Sequence, residues 1–165
     1  MLFLLFKLTD MNITTRKVTR QDIPDILSLI KELATYERAL NEVTITPFEL
    51  EEDGFGNRPL FEAILAELDG KVVGMAFYFI SYSTWKGRCL FLEDIIIKVE
   101  YRKKGIGTIL FDQVIEKAKE IGAKRLQWQV LEWNTPAIEF YKKYKANIDP
   151  EWLNCKLSEE QIRDL

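Results

Sequence analysis

Positions 102–107 read Arg-Lys-Lys-Gly-Ile-Gly, three cations followed by two glycines within six residues. They lie between an apolar run at 90–97 and an amphipathic segment at 106–121, a pattern that predicts a strand, a glycine loop and a helix. Glycines allow a tight turn and a close approach to a ligand, and the free N–H groups that begin a helix bind anions. Because a helix N-terminus disfavours positive charge, the three cations indicate that an anion such as a pyrophosphate lies there.

Two common phosphate-binding motifs do not fit this loop. A P-loop needs Gly-Lys followed by Ser or Thr, and this sequence is not found at 102–108. A dinucleotide fingerprint needs a third glycine, but Gly107 is followed by Thr108, Ile109 and Leu110. From the loop alone, an ordinary strand-to-helix turn with solvated cations remains open beside the phosphate site.

Two carboxylates, Glu93 and Asp94, interrupt the apolar run before the loop. Side chains alternate along a strand, so we expect the two to face opposite sides of the sheet. At least one of them is then partly buried, where desolvation raises the pKa of a carboxyl group toward the range useful for a general base. The alternative is a structural ion pair with Arg88 or Arg102.

The segment at 132–141 reads Glu-Trp-Asn-Thr-Pro-Ala-Ile-Glu-Phe-Tyr and predicts the end of a strand followed by a helix start. Tyr141 falls about one and a half turns into that helix. A phenol with a pKa of about 10 is protonated at neutral pH and can donate a proton to a departing thiolate of pKa about 8.5. The alternative is that Phe140 and Tyr141 only pack the helix.

Composition narrows the possible functions. The chain has 165 residues and no histidine, which excludes a histidine base and the commonest metal ligand, so we expect no metal. The formal net charge of -3 does not favour nucleic acid as a partner. Cys89 and Cys155 lie far apart in sequence, which favours free thiols in a reducing cytoplasm. The apolar start at 1–6 is too short to span a membrane.

The order of predicted elements is β-α-α-β-β-β-α-β-α-β, an α/β (α+β) single domain over residues 11–165 with a mixed, mostly antiparallel sheet. We expect residues 1–10 to be a disordered or artefactual extension. Asp69-Gly70 predicts a two-residue hairpin turn, and the tail at 158–165 predicts a short helical turn. The predicted strands span 13–18, 61–68, 71–80, 89–97, 124–131 and 152–157, and the helices span 19–36, 46–53, 106–121 and 134–144.

Together these segments resemble the GNAT superfamily of N-acetyltransferases over residues 13–157. The R-x-x-G-x-G loop after a Glu-Asp strand and the W-N-x-P-x-x-x-F-Y segment both match. Within the superfamily the chain is most similar to the spermidine/spermine (diamine) N-acetyltransferases and their thialysine-acetylating relatives. The segments that carry this closer similarity are Ile30-Lys31-Glu32-Leu33-Ala34 with Tyr36-Glu37, Glu52-Asp53-Gly54-Phe55-Gly56, Tyr82 with Trp85 and Gly87, Leu92-Glu93-Asp94, and Glu132-Trp133-Asn134.

The resemblance implies a GNAT fold with a twisted sheet flanked by helices, and acetyl-CoA as cosubstrate. It implies Tyr141 as the general acid for the CoA thiolate and Glu93 as the acceptor of the amine proton. The residues implied to hold acetyl-CoA are Ile95, Ile96, Ile97, Arg102, Lys103, Lys104, Gly105, Ile106, Gly107, Thr108, Asn134, Thr135, Pro136 and Ala137. The residues implied to line the acceptor channel are Tyr36, Glu37, Ser83, Trp85, Gln127, Trp128, Gln129 and Glu151.

The implied activity is direct acetyl transfer, in a ternary complex, to a primary amine of a polyamine or a thialysine-like amino acid. Acetylation of a protein or peptide, and a non-catalytic acyl-CoA-binding module, are the alternatives. Ser83 stands where diamine acetyltransferases typically carry an acidic residue, which favours a smaller or amino-acid-like acceptor. Lys145 replaces the usual glycine after the Phe-Tyr helix, and the segment before Trp152 is shortened. A homodimer is expected from the family.

Overall fold

The computed structural model describes residues 12–165, so the predicted extension at 1–10 lies outside the described residues. The described chain forms two compact units, the first ending at Gln129 and the second running from Val130 to Leu165. A single domain over residues 11–165 stays a prediction. The first unit contains β1 (Ile13–Lys17), α1 (Ile23–Tyr36), α2 (Pro47–Phe55), β2 (Glu62–Leu68), β3 (Lys71–Ser83), β4 (Gly87–Ile97), α3 (Ile106–Glu120) and β5 (Leu126–Gln127). The second contains α4 (Thr135–Lys143) and α5 (Glu159–Asp164).

The five strands form one sheet in the order β1-β2-β3-β4-β5. The first four are antiparallel neighbours and β5 pairs with β4 in parallel, which confirms the predicted mixed, mostly antiparallel sheet. The predicted Asp69-Gly70 turn joins β2 to β3. Both of its residues have positive φ, +51° and +76°, as a two-residue hairpin with a type I′ turn requires.

The core lies between the sheet and its helices. On one face Ile26 and Leu29 of α1 pack with Leu65, Met75 and Ile96 of the three central strands. Each of these side chains is at most 2% exposed, and burial of such a side chain contributes about 1.5–3 kcal/mol. The opposite layer is α3, whose apolar stripe contains the buried Leu110, Phe111 and Val114 and which contacts β2, β3 and β4.

The entry into α1 is set by side-chain hydrogen bonds. Thr19 and Asp22 form a capping box around the first short turn. Asp22 is buried and receives two hydrogen bonds of 2.8 Å from the Arg16 guanidinium, which holds the pKa of the Asp22 carboxyl well below its usual range. These contacts tie β1 to α1 and so fix where α1 crosses the sheet.

Two predicted strands are corrected by the structure. The strand expected at 124–131 is reduced to Leu126–Gln127, because only these residues pair with β4. The strand expected at 152–157 is not formed, because this segment has no regular secondary structure and no strand pairing among the described residues. Its Trp152 and Leu153 are 73% and 86% exposed. An alternating pattern gives strand propensity, but a strand also needs a partner edge.

The turn after α4 shows how Lys145 replaces the expected glycine. Lys145 has φ +57°, so a lysine adopts the left-handed conformation that glycine adopts without strain. This conformation costs a non-glycine residue about 1–2 kcal/mol. The turn is therefore retained despite the substitution.

None of the helices formed by the described residues is both long enough and apolar enough to cross a membrane.

Candidate active site

A β-bulge interrupts β4 at Glu93. Phe77 of β3 pairs with Asp94 and the next residue, Tyr78, pairs with Leu92, so Glu93 has no partner on β3. The simple alternation that placed Glu93 and Asp94 on opposite faces therefore does not hold at this point. Asp94 lies opposite Phe77, which packs against the core on the α1 side, while Glu93 is exposed. Bulges often re-aim side chains next to active sites.

Asp94 lies half-buried in an acidic surrounding. Burial, followed by the charges of Glu93 and Glu37, raises the pKa of the Asp94 carboxyl to about 7. Burial also raises the pKa of Glu37, which follows the last residue of α1. The end of α1 and the bulge of β4 thus bring Glu37 and Glu93 within electrostatic reach of Asp94. Such a group attracts a protonated amine.

The alternative of a structural ion pair at Asp94 is wrong for this structure. Among residues 12–165, no lysine or arginine lies within salt-bridge distance of Asp94. Arg88 donates to the carbonyl oxygen of Ile121 at 2.7 Å. Arg102 donates from Nε to the carbonyl oxygen of Ile97 at 3.0 Å. Neither arginine therefore forms an ion pair with Asp94.

The glycine loop ends where α3 begins. Gly105 is the N-cap of α3 with φ +80°, and Lys103 also has a positive φ of +62°. Within the described residues no side chain caps α3, and its first turn contains no acidic residue. A Cβ on Gly107 would meet Cδ1 of Ile97 at 3.2 Å, so glycine permits the helix start to lie close to the end of β4. Uncapped N–H groups, glycines and nearby cations fit a pyrophosphate.

Two contacts join the end of α1 to the β4–α3 connection. The Arg102 guanidinium carbon lies 4.7 Å from the centroid of the Tyr36 ring, which is cation–π geometry. Oε1 of Glu32 accepts a hydrogen bond of 3.2 Å from the backbone N–H of Val99. Tyr36 and Glu37, predicted for the acceptor channel, are thereby linked to the loop predicted for the cofactor.

Ser83 and Trp85 lie at the far end of the β3–β4 hairpin. Ser83 pairs with Gly87, six residues before Glu93, which is about 20 Å along a strand. The Ser83 hydroxyl accepts hydrogen bonds from the N–H groups of Trp85 and Lys86 at 3.3 and 3.2 Å, so it shapes the turn. Trp85 is 80% exposed. Their place in the acceptor channel stays a prediction.

The three acceptor-channel residues predicted at the end of the first unit differ in how exposed they are. Gln127 and Gln129 are exposed, whereas Trp128 is half-buried. The Trp128 ring meets the Phe111 ring of α3 edge-on, with centroids 5.2 Å apart. Trp128 therefore packs against α3 in addition to any contact with an acceptor.

In the second unit Asn134 is the N-cap of α4. Its Oδ1 accepts a hydrogen bond of 3.3 Å from the N–H of Ala137, and Pro136 occupies the first turn. Tyr141 is 5% exposed, and its ring meets that of Phe140 edge-on at 5.4 Å. Packing of both aromatic rings is thus observed, and the acid role of Tyr141 stays a prediction. Glu151 is exposed.

A groove of about 470 Å³ lies away from these residues, against α3 and strands β1 to β3. Its wall includes Tyr78 and Lys117, and none of its lining residues is a predicted site residue. Lys117 Nζ lies 3.4 Å from Glu62 and 3.7 Å from Glu120, so its charge is balanced within the protein. No group of three His, Cys, Asp or Glu side chains in the described chain could hold a metal ion.

Comparison with known proteins adds to this geometry. Residues 25–145 match the model of the Acetyltransferase (GNAT) family. A thialysine N-epsilon-acetyltransferase of Bos taurus is 39% identical over 161 residues, which cover 91% of this chain and 95% of that protein. A spermidine/spermine N(1)-acetyltransferase-like protein of Homo sapiens is 32% identical over 154 residues, 87% of this chain and 22% of that protein.

Among solved structures, an aminoglycoside N-acetyltransferase in complex with CoA is similar, with a TM-score of 0.71 and 16% identity. The similarity covers 88% of this chain and 94% of that one. At this identity it shows the fold, which agrees with the sheet order and helices described above.

The raised pKa of Asp94 predicts a pH dependence of stability. Between the ordinary aspartate value of 3.8 and about 7, the folded protein keeps a proton on Asp94 that the unfolded chain releases. The free energy of unfolding contributed by Asp94 therefore falls as pH rises through this window, by at most about 1.4 kcal/mol per pH unit, and is constant above it.

Urea unfolding of the wild type and of Asp94→Asn at pH 4.5, 6 and 8 measures this effect. The wild type should lose stability relative to the variant as pH rises. Asp25→Asn, on the exposed side of the first turn of α1, controls for loss of a surface carboxylate. Wild-type and Asp94→Asn stabilities that stay parallel over this range would show that Asp94 titrates normally.

Proposed function

This chain belongs to the GNAT family of acetyltransferases and is an N-acetyltransferase, and we propose that it transfers acetyl from acetyl-CoA to the primary amine of a small cationic acceptor. The leading acceptors are a thialysine-like amino acid and a polyamine. The observation that carries the proposal is the acidic group formed by Glu37, Glu93 and Asp94, supported by the thialysine acetyltransferase similarity over most of the chain.

The residues around the α3 N-terminus fit the cofactor. Gly105 and Gly107 keep the loop backbone accessible, and Lys103 and Lys104 bring positive charge to the start of α3. Backbone groups of Ile95 to Ile97 would bind the pantetheine arm, and Asn134 to Ala137 would hold its other side. When bound, acetyl-CoA supplies the acetyl group as an activated thioester.

The acidic group fits a protonated amine. An ammonium ion is stabilised by several carboxylates, and its methylene chain packs on aromatic faces such as that of Tyr36. The attacking nitrogen must be neutral, so its proton has to be taken up by the protein. We assign that role to the exposed Glu93, acting directly or through water, with the partly buried Asp94 as the second carboxyl beside it.

Direct transfer balances with three proton movements. The ammonium gives one proton to Glu93, the new N–C bond forms as the C–S bond breaks, and the Tyr141 hydroxyl donates its proton to the leaving thiolate. The second proton of the attacking nitrogen, lost as the amide forms, returns to the Tyr141 phenolate. Backbone N–H groups at the edge of β4 would stabilise the carbonyl oxygen. The ternary complex follows from this scheme, since no acyl-enzyme nucleophile takes part.

Ser83 favours the smaller acceptor over a long polyamine. A carboxylate at that position would add a distant anchor for a second ammonium, whereas the Ser83 hydroxyl is used within the turn. The relatives named for thialysine support the same choice. An amino-acid-like acceptor needs only one site for the reacting amine and contacts for its α-carbon groups.

We also propose that the protein acts as a homodimer in the cytoplasm. Both cysteines of the described chain are free thiols, Cys89 buried and Cys155 exposed. An exposed free thiol is compatible with a reducing compartment.

The amine preference is tested by measuring CoA release from acetyl-CoA with thialysine, lysine, spermidine, spermine and a lysine-containing peptide. We expect kcat/KM to be highest for thialysine and lowest for the peptide, because the acidic group suits a small cation. Turnover confined to the peptide would favour protein acetylation, and CoA binding without turnover on any amine would favour a non-catalytic module.

The acid role of Tyr141 is tested by Tyr141→Phe, which removes only the hydroxyl. We expect kcat to fall by about 10²–10⁴-fold, the usual contribution of general acid–base catalysis, with CoA affinity retained. Phe140→Leu is the control for a packing effect on α4, since it changes the neighbouring ring and keeps the Tyr141 hydroxyl. An unchanged kcat in Tyr141→Phe would remove Tyr141 as the acid.

A further inference from the structure

We propose that Arg102 is a positioning residue that couples the acceptor wall to the cofactor loop, so that each substrate raises the affinity for the other. The proposal rests on the proposed function, because it concerns how the two halves of that site communicate. It gives Arg102 a role beyond that of a cation beside the pyrophosphate.

The side chain of Arg102 is engaged on two sides at once. Its Nε–H is bonded to the carbonyl oxygen of Ile97, the last residue of β4. Its guanidinium carbon lies over the ring of Tyr36, in the last turn of α1, 4.7 Å from the ring centroid. A planar guanidinium can stack and donate in this way, whereas a lysine ammonium cannot reproduce the geometry.

A second contact runs parallel to the first. Glu32 lies one helical turn before Tyr36 and accepts the N–H of Val99, 67 residues later in the chain. Val99 and Arg102 are at the beginning and just after the end of the short 3-10 turn that follows β4. The last two turns of α1 are thus held to the β4–α3 connection at two points, through Glu32 and through Tyr36.

The connection is also the place where the loop is conformationally demanding. Lys103 and Gly105 both have positive φ, and Arg102 is the residue before Lys103. An anion at the N-terminus of α3 stabilises this loop geometry, and through Arg102 and Val99 the same geometry fixes Tyr36 and the adjacent Glu37. An acceptor held at Tyr36 and Glu37 then stabilises the loop in return, since coupling between two binding sites is reciprocal.

The coupling distinguishes this role from a simple phosphate contact. If Arg102 only attracted the pyrophosphate, its replacement would weaken CoA binding equally with and without the amine. If it positions Tyr36, its replacement by lysine keeps the charge and mainly reduces the effect of the amine on CoA binding.

The experiment is calorimetric titration of CoA into the protein, without and with saturating thialysine, which measures binding and not turnover. For the wild type we expect thialysine to tighten CoA binding by about fivefold or more, the lower end of typical coupling. In Arg102→Lys we expect the ratio of the two dissociation constants to fall to below about twofold, and this ratio is the readout whatever the change in CoA affinity alone.

Conservative pairs separate positioning from general damage. Tyr36→Phe keeps the ring beneath the guanidinium and should retain the coupling, whereas Tyr36→Leu should lose it. Glu32→Gln keeps an acceptor oxygen for Val99 and should retain more coupling than Glu32→Ala. Arg20→Lys is the matched control, because Arg20 also joins two elements, donating to Glu51 and to the carbonyl of Phe55.

The outcomes separate this inference from the proposed function. The inference is overturned if the wild type shows no coupling, or if the coupling is unchanged in Arg102→Lys. The proposed function still stands in either case, provided that the wild type binds CoA. A uniform loss of CoA affinity in Arg102→Lys, with the ratio intact, reduces Arg102 to a phosphate contact and also overturns it. Failure of the wild type to bind CoA at all contradicts the proposed function itself.

Discussion

The N–H groups that begin α3 have no capping side chain among residues 12–165, and the proposed cofactor site depends on this constraint. Three other α-helices of the described chain begin differently, since Thr46, Asn134 and Ser158 each cap a helix with a side-chain oxygen. The N-cap of α1, Asp22, makes no side-chain cap hydrogen bond either, but α1 continues directly from the short turn that starts at Thr19. An uncapped start behind several cations is stable when an anion supplies the missing acceptor.

Strand β4 connects the uncapped start of α3 to the acidic group. Its last residues lead into the glycine loop, and its bulge at Glu93 lies four residues before Ile97. The bulge removes Glu93 from the ladder and leaves Asp94 half-buried toward α1, near Glu37. Opposite charges therefore lie near the two ends of one short stretch of strand, positive where we propose the cofactor phosphates and negative where we propose the amine.

Several elements of this fold could be predicted from the sequence because their signals are local. The Asp69-Gly70 turn, the capping of α2 by Thr46 and the strand–loop–helix unit around Gly105 each depend on residues a few positions apart. The bulge at Glu93 could not be predicted, since it depends on the register between β3 and β4. The prediction of a strand at 152–157 was wrong for a similar reason, because strand pairing depends on two segments and not on one.

For the site, too, local features could be predicted from the sequence and long-range ones could not. Residue types at fixed spacing indicated a phosphate loop and two carboxylates, but not which carboxylate is the more buried. Asp94 emerged only when Glu37 and Glu93 were placed beside it. The contacts of Glu32 with Val99 and of Arg102 with Tyr36 join residues 67 and 66 positions apart, and no local pattern marks them.

Whether the α3 N-terminus holds a pyrophosphate is best tested by comparing the binding of CoA with that of pantetheine, which lacks the pyrophosphate and the nucleotide. If the α3 N-terminus holds the pyrophosphate, CoA should bind at least about tenfold more tightly in wild-type protein, a difference of about 1.4 kcal/mol. Gly105→Ala, which strains the left-handed turn, should reduce that advantage. Equal affinity for CoA and pantetheine in the wild type would contradict the account.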